Sequence, residues 1–495
     1  MNFKTNVKLL LLLLPILLSS CGNNKQEEHN PQKPNVLFIS IDDLRPELGC
    51  YGKDYIHSPN IDQLAKESTV FTKHFVQIPT CGASRYAMLT GMLPTTRKHL
   101  GNNAAVQFIS NDTTRQLPET FIHHLKNNGY HTVGIGKISH SADGYVYGYE
   151  EPVSEQRELP ESWSDLAFDA GKWGTGWNAF FAYSNGENRQ SMKRQVKPYE
   201  NGDVADDGYP DGLTANLALK KLKEVAGQDQ PFFMGVGFFK PHLPFNAPQK
   251  YWDLYDESSL PLAPFDTIPT NVNKASLNNS GEFNSYQLGE EKASFEKKVS
   301  DDYARKLRHG YFASISYVDA QIGKLMAELK RLELYDNTIV VLWGDHGWNL
   351  GDYASWGKHT IFERSLNSAF IIKAPGESKA KSVEKIVSTV DFYPTLVELC
   401  GLKMPHETDG ESLVSLLDGS GESWKDRSYG YYRNGITLRT DRYRLTKYFR
   451  EASPQIELYD HEVDPNETNN IAEENPDLVA QLMPVLEQGN TGLYK

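Results

Sequence analysis

Cysteine is scarce in this chain: four residues, Cys21, Cys50, Cys81 and Cys400, among 495. That is too few for a disulfide scaffold in a chain of this length, so each thiol needs its own explanation. A basic excess is missing as well. Lys and Arg total 51 against 64 Asp and Glu, a net charge of −13. This argues against a nucleic-acid partner held by a dominant positive field and leaves any anionic ligand to local cations. Long apolar runs are rare, and the one that stands out, Leu9 to Leu18, is too short to cross a bilayer as a helix. What the chain does have is core-forming material. Hydrophobic residues make up 39%, with 26 Tyr, 22 Phe and 8 Trp, which excludes a disordered or fibrous protein.

The apolar run explains the first cysteine. Lys4 and Lys8 precede it in signal-peptide order, and it ends in Leu18-Ser19-Ser20-Cys21, which resembles a bacterial lipoprotein signal cut before a lipidated cysteine. An ordinary secretory signal cut nearby is the alternative, and both export the chain. We therefore expect a signal peptide at 1–20, a polar tether at 21–33, a large domain at 34–422 and a C-terminal subdomain at 423–495. The lipid anchor would hold the protein on the bacterial cell membrane or outer membrane, facing the periplasm or the surroundings.

Beyond the tether, strand-like and helical patterns alternate. Asn35 to Ile41 is nearly all apolar, as a strand buried on both faces should be. Ser58-Pro59 and Pro118 read as helix openings, and His131 to Gly136, Pro231 to Phe238, Thr338 to Trp343 and Ala369 to Lys373 read as strands. Ile315, Val318, Ile322, Leu325 and Leu329 mark one long amphipathic helix. The order predicts an α/β fold with a mostly parallel sheet covered on both sides. Near the Gly- and Ser-rich loop 418–422 the pattern changes. Ser428 to Arg433, Gly435 to Tyr448 with a turn near Thr440-Asp441, and Ile456 to Tyr459 predict a small antiparallel sheet, and Asn475-Pro476 opens a terminal helix. The stretches 141–215 and 255–300 have weak periodicity and read as long loops, where specificity is commonly built. Trp163, Trp173 and Trp177 in the first of them read as packing residues ahead of sugar-stacking ones, and Cys50 and Cys400 as buried thiols outside any disulfide.

Two strands end in ionisable pairs, Asp42-Asp43 and Asp345-His346. Ligands of open α/β sheets bind outside the carboxyl ends of the strands, and parallel strands would bring both pairs to one edge. Three carboxylates and an imidazole there repel one another without a cation, and oxygen ligands favour calcium or magnesium over zinc. Taken alone, each pair also fits a cap or turn. Cys81-Gly-Ala-Ser-Arg85 runs into a helical stretch, which would set the thiol at a helix N-terminus where anions are favoured; a buried structural cysteine is the plain alternative.

These five residues resemble the signature of the formylglycine-dependent (type I) sulfatases. A second element of that family is matched by Gly129-Tyr-His-Thr followed by Gly136-Lys137 and His140, with Ser139 where an aromatic is usual. Lys240-Pro-His242, Trp356-Gly-Lys358-His359 and Asp345-His-Gly-Trp-Asn-Leu-Gly351 are similar to the iduronate-2-sulfatase branch, as are Ser58 to Ala65 and the tail Glu457 to Glu467. The likeness spans most of residues 35–470 and fails chiefly in the two long loops.

The resemblance implies an alkaline-phosphatase-like fold, with 34–422 as the catalytic domain. It also implies a sulfuric ester hydrolase acting on sugars of sulfated polysaccharides or oligosaccharides, in polysaccharide degradation, with a 2-O-sulfated uronate as the leading substrate. Cys81 would be oxidised to formylglycine by a maturase. One calcium ion would be held by Asp42, Asp43, Cys81, Asp345 and His346. One hydroxyl of the hydrated aldehyde would attack sulfur with Arg85 beside it, and Lys137 and Lys358 would balance the sulfate oxygens. His242, which with the two lysines also binds substrate, would protonate the departing alcohol, and His140 would deprotonate the second hydroxyl to expel sulfate. The rivals are a phosphoesterase or phosphonate hydrolase of the same superfamily and a non-catalytic glycan-binding lipoprotein whose Cys81 stays unmodified.

Overall fold

The strand Asn35–Ile41 is buried along its whole length, and its alternating side chains feed two separate cores. Leu37, Ile39 and Ile41 pack on one face with Ile315, Ile322 and Leu325. Val36 and Phe38 pack on the other with Phe121, Leu125 and Leu396. Burying such side chains contributes roughly 1.5–3 kcal/mol each, so both faces demand helical cover. The structure, a computed structural model, describes residues 33–111, 119–376 and 379–494 together with Met1. The proposed signal peptide and most of the tether lie outside the described residues. Pro34–Lys495 form one compact unit.

Asn35–Ile41 lies inside an eight-stranded sheet ordered Lys381–Ser388, Thr69–Phe75, Phe370–Lys373, Thr338–Gly344, Asn35–Ile41, Phe232–Phe238, His131–Gly136 and Asp165–Ala167. All pairings are parallel except those of Phe370–Lys373, which runs antiparallel to both neighbours. The helix Asp301–Arg331 covers one face over 31 residues; Ser300 caps it by accepting the Tyr303 amide, with Asp301 and Asp302 in the first turn and Lys330 and Arg331 in the last, the order the helix dipole favours. Pro59–Ala65 and Pro210–Ala226 lie on the same face. Cys81–Thr90, Phe121–Asn127 and Phe392–Leu399 supply the opposite cover.

Four antiparallel strands, Arg427–Tyr432, Gly435–Thr440, Tyr443–Tyr448 and Ile456–Asp460, form a second sheet, followed by the helix Pro476–Glu487. Its apolar face, with Ile436, Leu438, Leu445 and Leu458, packs against Ala83 and Ala87 of the helix that begins at Cys81. The C-terminal sheet thus braces the helix carrying the signature cysteine.

Three expectations need correction. The helix expected at Pro118 begins at Phe121, because the Thr120 side chain accepts the His123 amide and so sets the N-terminus; Pro118 itself lies outside the described residues. The stretch 141–215 is not loop throughout: Asp165–Ala167 closes the sheet edge, Gly176–Phe180 is a short helix, and Pro210 opens a long one. Cys50 is only half-buried, since its amide donates to Asp62 Oδ1 at 2.7 Å near the surface. Trp163, Trp173 and Trp177 are buried among aromatic neighbours, as packing residues.

Candidate active site

Four parallel strands deliver the chemistry to one edge. Ile41 pairs with Gly344 and with Phe238, so Asp42-Asp43, Asp345-His346 and the segment leading to His242 leave the sheet at one level. Gly136, last in its strand, has φ +70, and a Cβ at this position would meet Gly237 O at 2.3 Å; only glycine turns here and aims Lys137 inward. Thr80 is extended and Cys81 opens the next helix. Gly82 follows where a Cβ would lie 2.1 Å from Asn102 O, so the helix start can press against that backbone.

Three ion pairs organise the floor. Lys137 Nζ is 2.6 Å from Asp42 Oδ2, Lys358 Nζ is 2.8 Å from Asp43 Oδ1, and Arg85 Nε is 2.9 Å from Asp345 Oδ2. Arg85 also donates to Ser40 Oγ at 2.8 Å, to the carbonyls of Lys137 and Ile138, and to Asp42 Oδ1 at 3.4 Å. The Asp43 amide donates to Asp345 Oδ1 at 2.9 Å. Cys81 Sγ is 3.2 Å from His346 Nε2 and 3.3 Å from Lys358 Nζ. All of these side chains are buried.

Burial would raise Asp42, yet Lys137, His242 and Arg85 hold its carboxyl well below the usual range. For Asp43 burial wins over Lys358 and His346, and the carboxyl rises well above that range. A divalent ion beside Asp43 would reverse this balance. Burial and the neighbouring carboxylates push the Cys81 thiol up to about 12, so as encoded it is a weak nucleophile. Burial and Lys358 lower His242 to about 4, with Glu282 opposing. Burial and Lys137 hold His140 well below its ordinary range.

Every residue expected from the sequence is accounted for. Ligand atoms of Asp42, Asp43 and Asp345 lie within 4.8 Å of one another, as do those of Asp43, Cys81 and His346, a donor set that fits an oxygen-seeking divalent cation. His242 points Nε2 toward Asp43 Oδ2 at 3.8 Å. His140 stands farther out, half-buried in the wall of an adjoining cavity. His359, from the Trp356-Gly-Lys358-His359 element, stacks on Tyr432, and Arg97 lies over Tyr494.

Sequence reasoning missed several residues. Glu282, from the short helix Gly281–Asn284 that interrupts the stretch 255–300 expected to be loop, places Oε1 3.1 Å from His242 Nε2 and Oε2 3.8 Å from Lys358 Nζ. Asp211 accepts the amides of Phe239 and Lys240, both at 2.8 Å, fixing the turn that carries His242. Phe180 lies under Lys137 Nζ at 4.3 Å and Trp348 under Lys358 Nζ at 5.1 Å. Ser84 hydrogen-bonds the Asp345 carbonyl at 2.5 Å; it lies inside the signature and was legible there, whereas nothing local marks Glu282.

A sulfatase family model matches residues 34–402, three quarters of the chain, and covers the whole of this edge. The chain belongs to the sulfatase family. It is therefore a sulfuric ester hydrolase by family, and a model of the N-sulphoglucosamine sulphohydrolase C-terminal region matches residues 344–490 of the sulfatase. It is 30% identical to a sulfatase of Formosa agariphila over 93% of this chain and 88% of that protein. It is 31% identical to human iduronate 2-sulfatase over 80% of this chain and 74% of that protein. A phosphonate monoester hydrolase of Agrobacterium radiobacter shares the fold, with a TM-score of 0.72 and 22% identity over 93% of this chain and 96% of that one. Formylglycine and a metal ion are typical of the family.

Proposed function

We propose that this sulfatase removes sulfate from a sugar of a sulfated oligosaccharide or polysaccharide. In this reading a maturase has converted Cys81 to formylglycine, and Asp42, Asp43, Asp345 and His346 hold one calcium ion together with residue 81. The observation that carries the reading is the seat of residue 81: a helix N-terminus with Lys358 and His346 at 3.3 and 3.2 Å and three carboxylates beneath. The oxygen-rich donor set supports calcium, and the likeness to iduronate 2-sulfatase supports a sugar substrate. The order Lys4, Lys8, Leu9 to Leu18 and Cys21 supports export and a lipid anchor.

The metal, when bound, supplies positive charge for the sulfate oxygens and for the oxygen of residue 81. The chain's own residues do the rest. Lys137 and Lys358 are buried cations facing residue 81, and in a desolvated site their charge acts on the sulfate with little screening. Arg85 fixes the orientation of Asp345 and Asp42. His242, with Nδ1 2.6 Å from the Leu243 carbonyl, must carry its hydrogen on Nδ1, so Nε2 is the atom that exchanges a proton with the sugar oxygen. His140, on the cavity side, takes the proton whose loss releases sulfate. Purified protein co-expressed with a radical-type maturase, which tolerates Ala83 where the aerobic signal prefers proline, should release sulfate from defined sulfated saccharides, measured by ion chromatography. Phosphonate or phosphate ester hydrolysis exceeding sulfate release would overturn the proposal.

A further inference from the structure

A cavity of about 530 Å³ adjoins the site, with Asn102, Asn103, His140, Tyr149, Glu158 and Trp177 in its wall. Its volume lies within the range of small-molecule sites, roughly 300–1,000 Å³. Two contacts tie it to the reacting centre. Asn102 Oδ1 accepts the amide of Gly82, next to Cys81, at 3.0 Å, and His140 sits 5.4 Å from the Trp177 ring. Tyr149 packs edge-on against Trp177 at 4.7 Å, is 41% exposed, and feels the charges of Lys137 and Cys81. The cavity therefore lies between exposed Tyr149 and the wall formed by Asn102 and His140 beside residue 81, on the side where the alcohol part of a sulfate ester can extend.

Its wall is unusual in one respect. Glu158 is fully buried; its Oε2 accepts the Ser141 amide at 2.7 Å and the Ser139 and Ser141 side chains lie near the carboxyl, but Oε1 makes no well-formed hydrogen bond, and neither does His140 Nδ1. Buried polar atoms left unpaired are costly and rare, so two in one wall call for a polar guest. Burial already holds the Glu158 carboxyl above its ordinary range, and a second anion beside it would be opposed further. Glu151 adds another carboxylate, held by the Gly148 amide at 2.8 Å. Among the described residues lining the cavity there is no Lys or Arg. A ring bearing a carboxylate would meet two carboxylates and no cation in the wall itself, since Lys137 and Arg85 act on it only from the floor of the site.

We propose that the sugar whose sulfate is removed is a neutral ring, read by a hydroxyl that donates to Glu158 Oε1, and not a uronate. The inference rests on the sulfatase reading of the site and narrows it. A hydroxyl donor satisfies the orphaned oxygen without adding charge, and the aromatic faces of Tyr149 and Trp177 give the ring's C–H groups an apolar wall.

Matured enzyme, with formylglycine confirmed by mass, would be assayed on monosulfated methyl glucosides and the matching glucuronides, sulfated at each hydroxyl in turn, with 4-nitrophenyl sulfate as the aryl reference. The best glucoside sulfate should exceed its glucuronide partner at least tenfold in kcat/KM. Glu158→Gln should lower the ratio of sugar to aryl kcat/KM tenfold or more, a change that a merely structural defect would not produce. Glu151→Lys, at an exposed position, should narrow the glucoside-to-glucuronide gap at least threefold and tests the idea even if Glu158→Gln does not fold. A glucuronide sulfate turned over as well as its glucoside, failure on every neutral sugar while the aryl ester reacts, or an unchanged ratio in both variants would overturn this inference alone. No turnover of any sulfate ester by formylglycine-bearing enzyme would overturn the sulfatase reading beneath it.

Discussion

Replacing His242 separates proton delivery from the rest of the machinery. The ring is 4% exposed, with Nδ1 committed to the Leu243 carbonyl at 2.6 Å and Nε2 facing Glu282 at 3.1 Å and Asp43 at 3.8 Å. Nε2 is therefore the atom that serves a departing oxygen; burial favours the neutral ring with its hydrogen on Nδ1, so Nε2 must first take up a proton, which the Glu282 carboxylate opposite it favours, before it can give one. A sugar alkoxide needs that proton, whereas the phenolate released from an aryl sulfate needs little help. General-acid catalysis contributes roughly two to four orders of magnitude, about 3–5 kcal/mol of barrier. His242→Ala should cost that much in kcat/KM on a sugar sulfate and less than about tenfold on an aryl sulfate. The ring also packs 4.6 Å from Phe180, so His242→Gln, which refills most of the volume, controls for the cavity and should show the same contrast. His140→Ala, acting after the alcohol has left, should slow both substrates alike. Equal losses on both substrates in both His242 variants would refute the assignment.

Other perturbations bear on the metal, the backbone and the pH response. Asp345→Asn leaves Arg85 the longer pairing with Asp42 at 3.4 Å as its ion pair; breaking such a buried pair costs about 3–5 kcal/mol, so thermal stability, bound metal by elemental analysis and activity should fall together. Chelation of the wild type should abolish turnover and calcium should restore it; full activity without metal would contradict the ligand set. Gly82→Ala drives a methyl toward Asn102 O, and overpacking of about 1–3 kcal/mol should lower the melting temperature and sulfate release, with Asn102→Gly giving no rescue because the clash is with backbone. Burial holds His74 down at about 3, between Ser368 and Thr389. The unfolded chain protonates first, so stability is full above pH 6.5 and declines as pH falls from there to about 3, by on the order of 5 kcal/mol. His74→Gln should flatten that decline in urea titrations between pH 7 and pH 4, and an unchanged slope would remove His74 from the account.

The residues legible in the sequence are those whose signal is local. Asp42-Asp43 and Asp345-His346 follow apolar runs and were readable as strand ends, while Cys81 to Arg85 form a contiguous motif. The parallel register of Asn35–Ile41 with Thr338–Gly344 then brings them together, as the alternation of elements implied. Strands that carry polar residues on a partly exposed face were harder to see. Thr69–Phe75 contains Lys73 and His74, and the first half of Lys381–Ser388 is largely exposed, so neither gives a continuous apolar run. Glu282 and Asp211 were illegible for another reason. They act at distances of 40 and 31 residues from His242 along the chain, from the first turns of the helices Gly281–Asn284 and Pro210–Ala226, where an acidic residue is ordinary, and only the contacts at 3.1 Å to His242 and 2.8 Å to the Lys240 amide reveal them.

The central claim is that residue 81, once converted, is the group that takes sulfate from its ester. It is tested most directly by preparing the protein with and without the maturase. The fraction of Cys81 converted to formylglycine would be measured by peptide mass and compared with the rate of sulfate release from a sugar sulfate in calcium. The account predicts that rate and converted fraction rise in proportion, with unconverted protein inactive because its buried thiol is held up at about 12. Sulfate release at the same rate from fully unconverted protein, or none from fully converted protein, would contradict it.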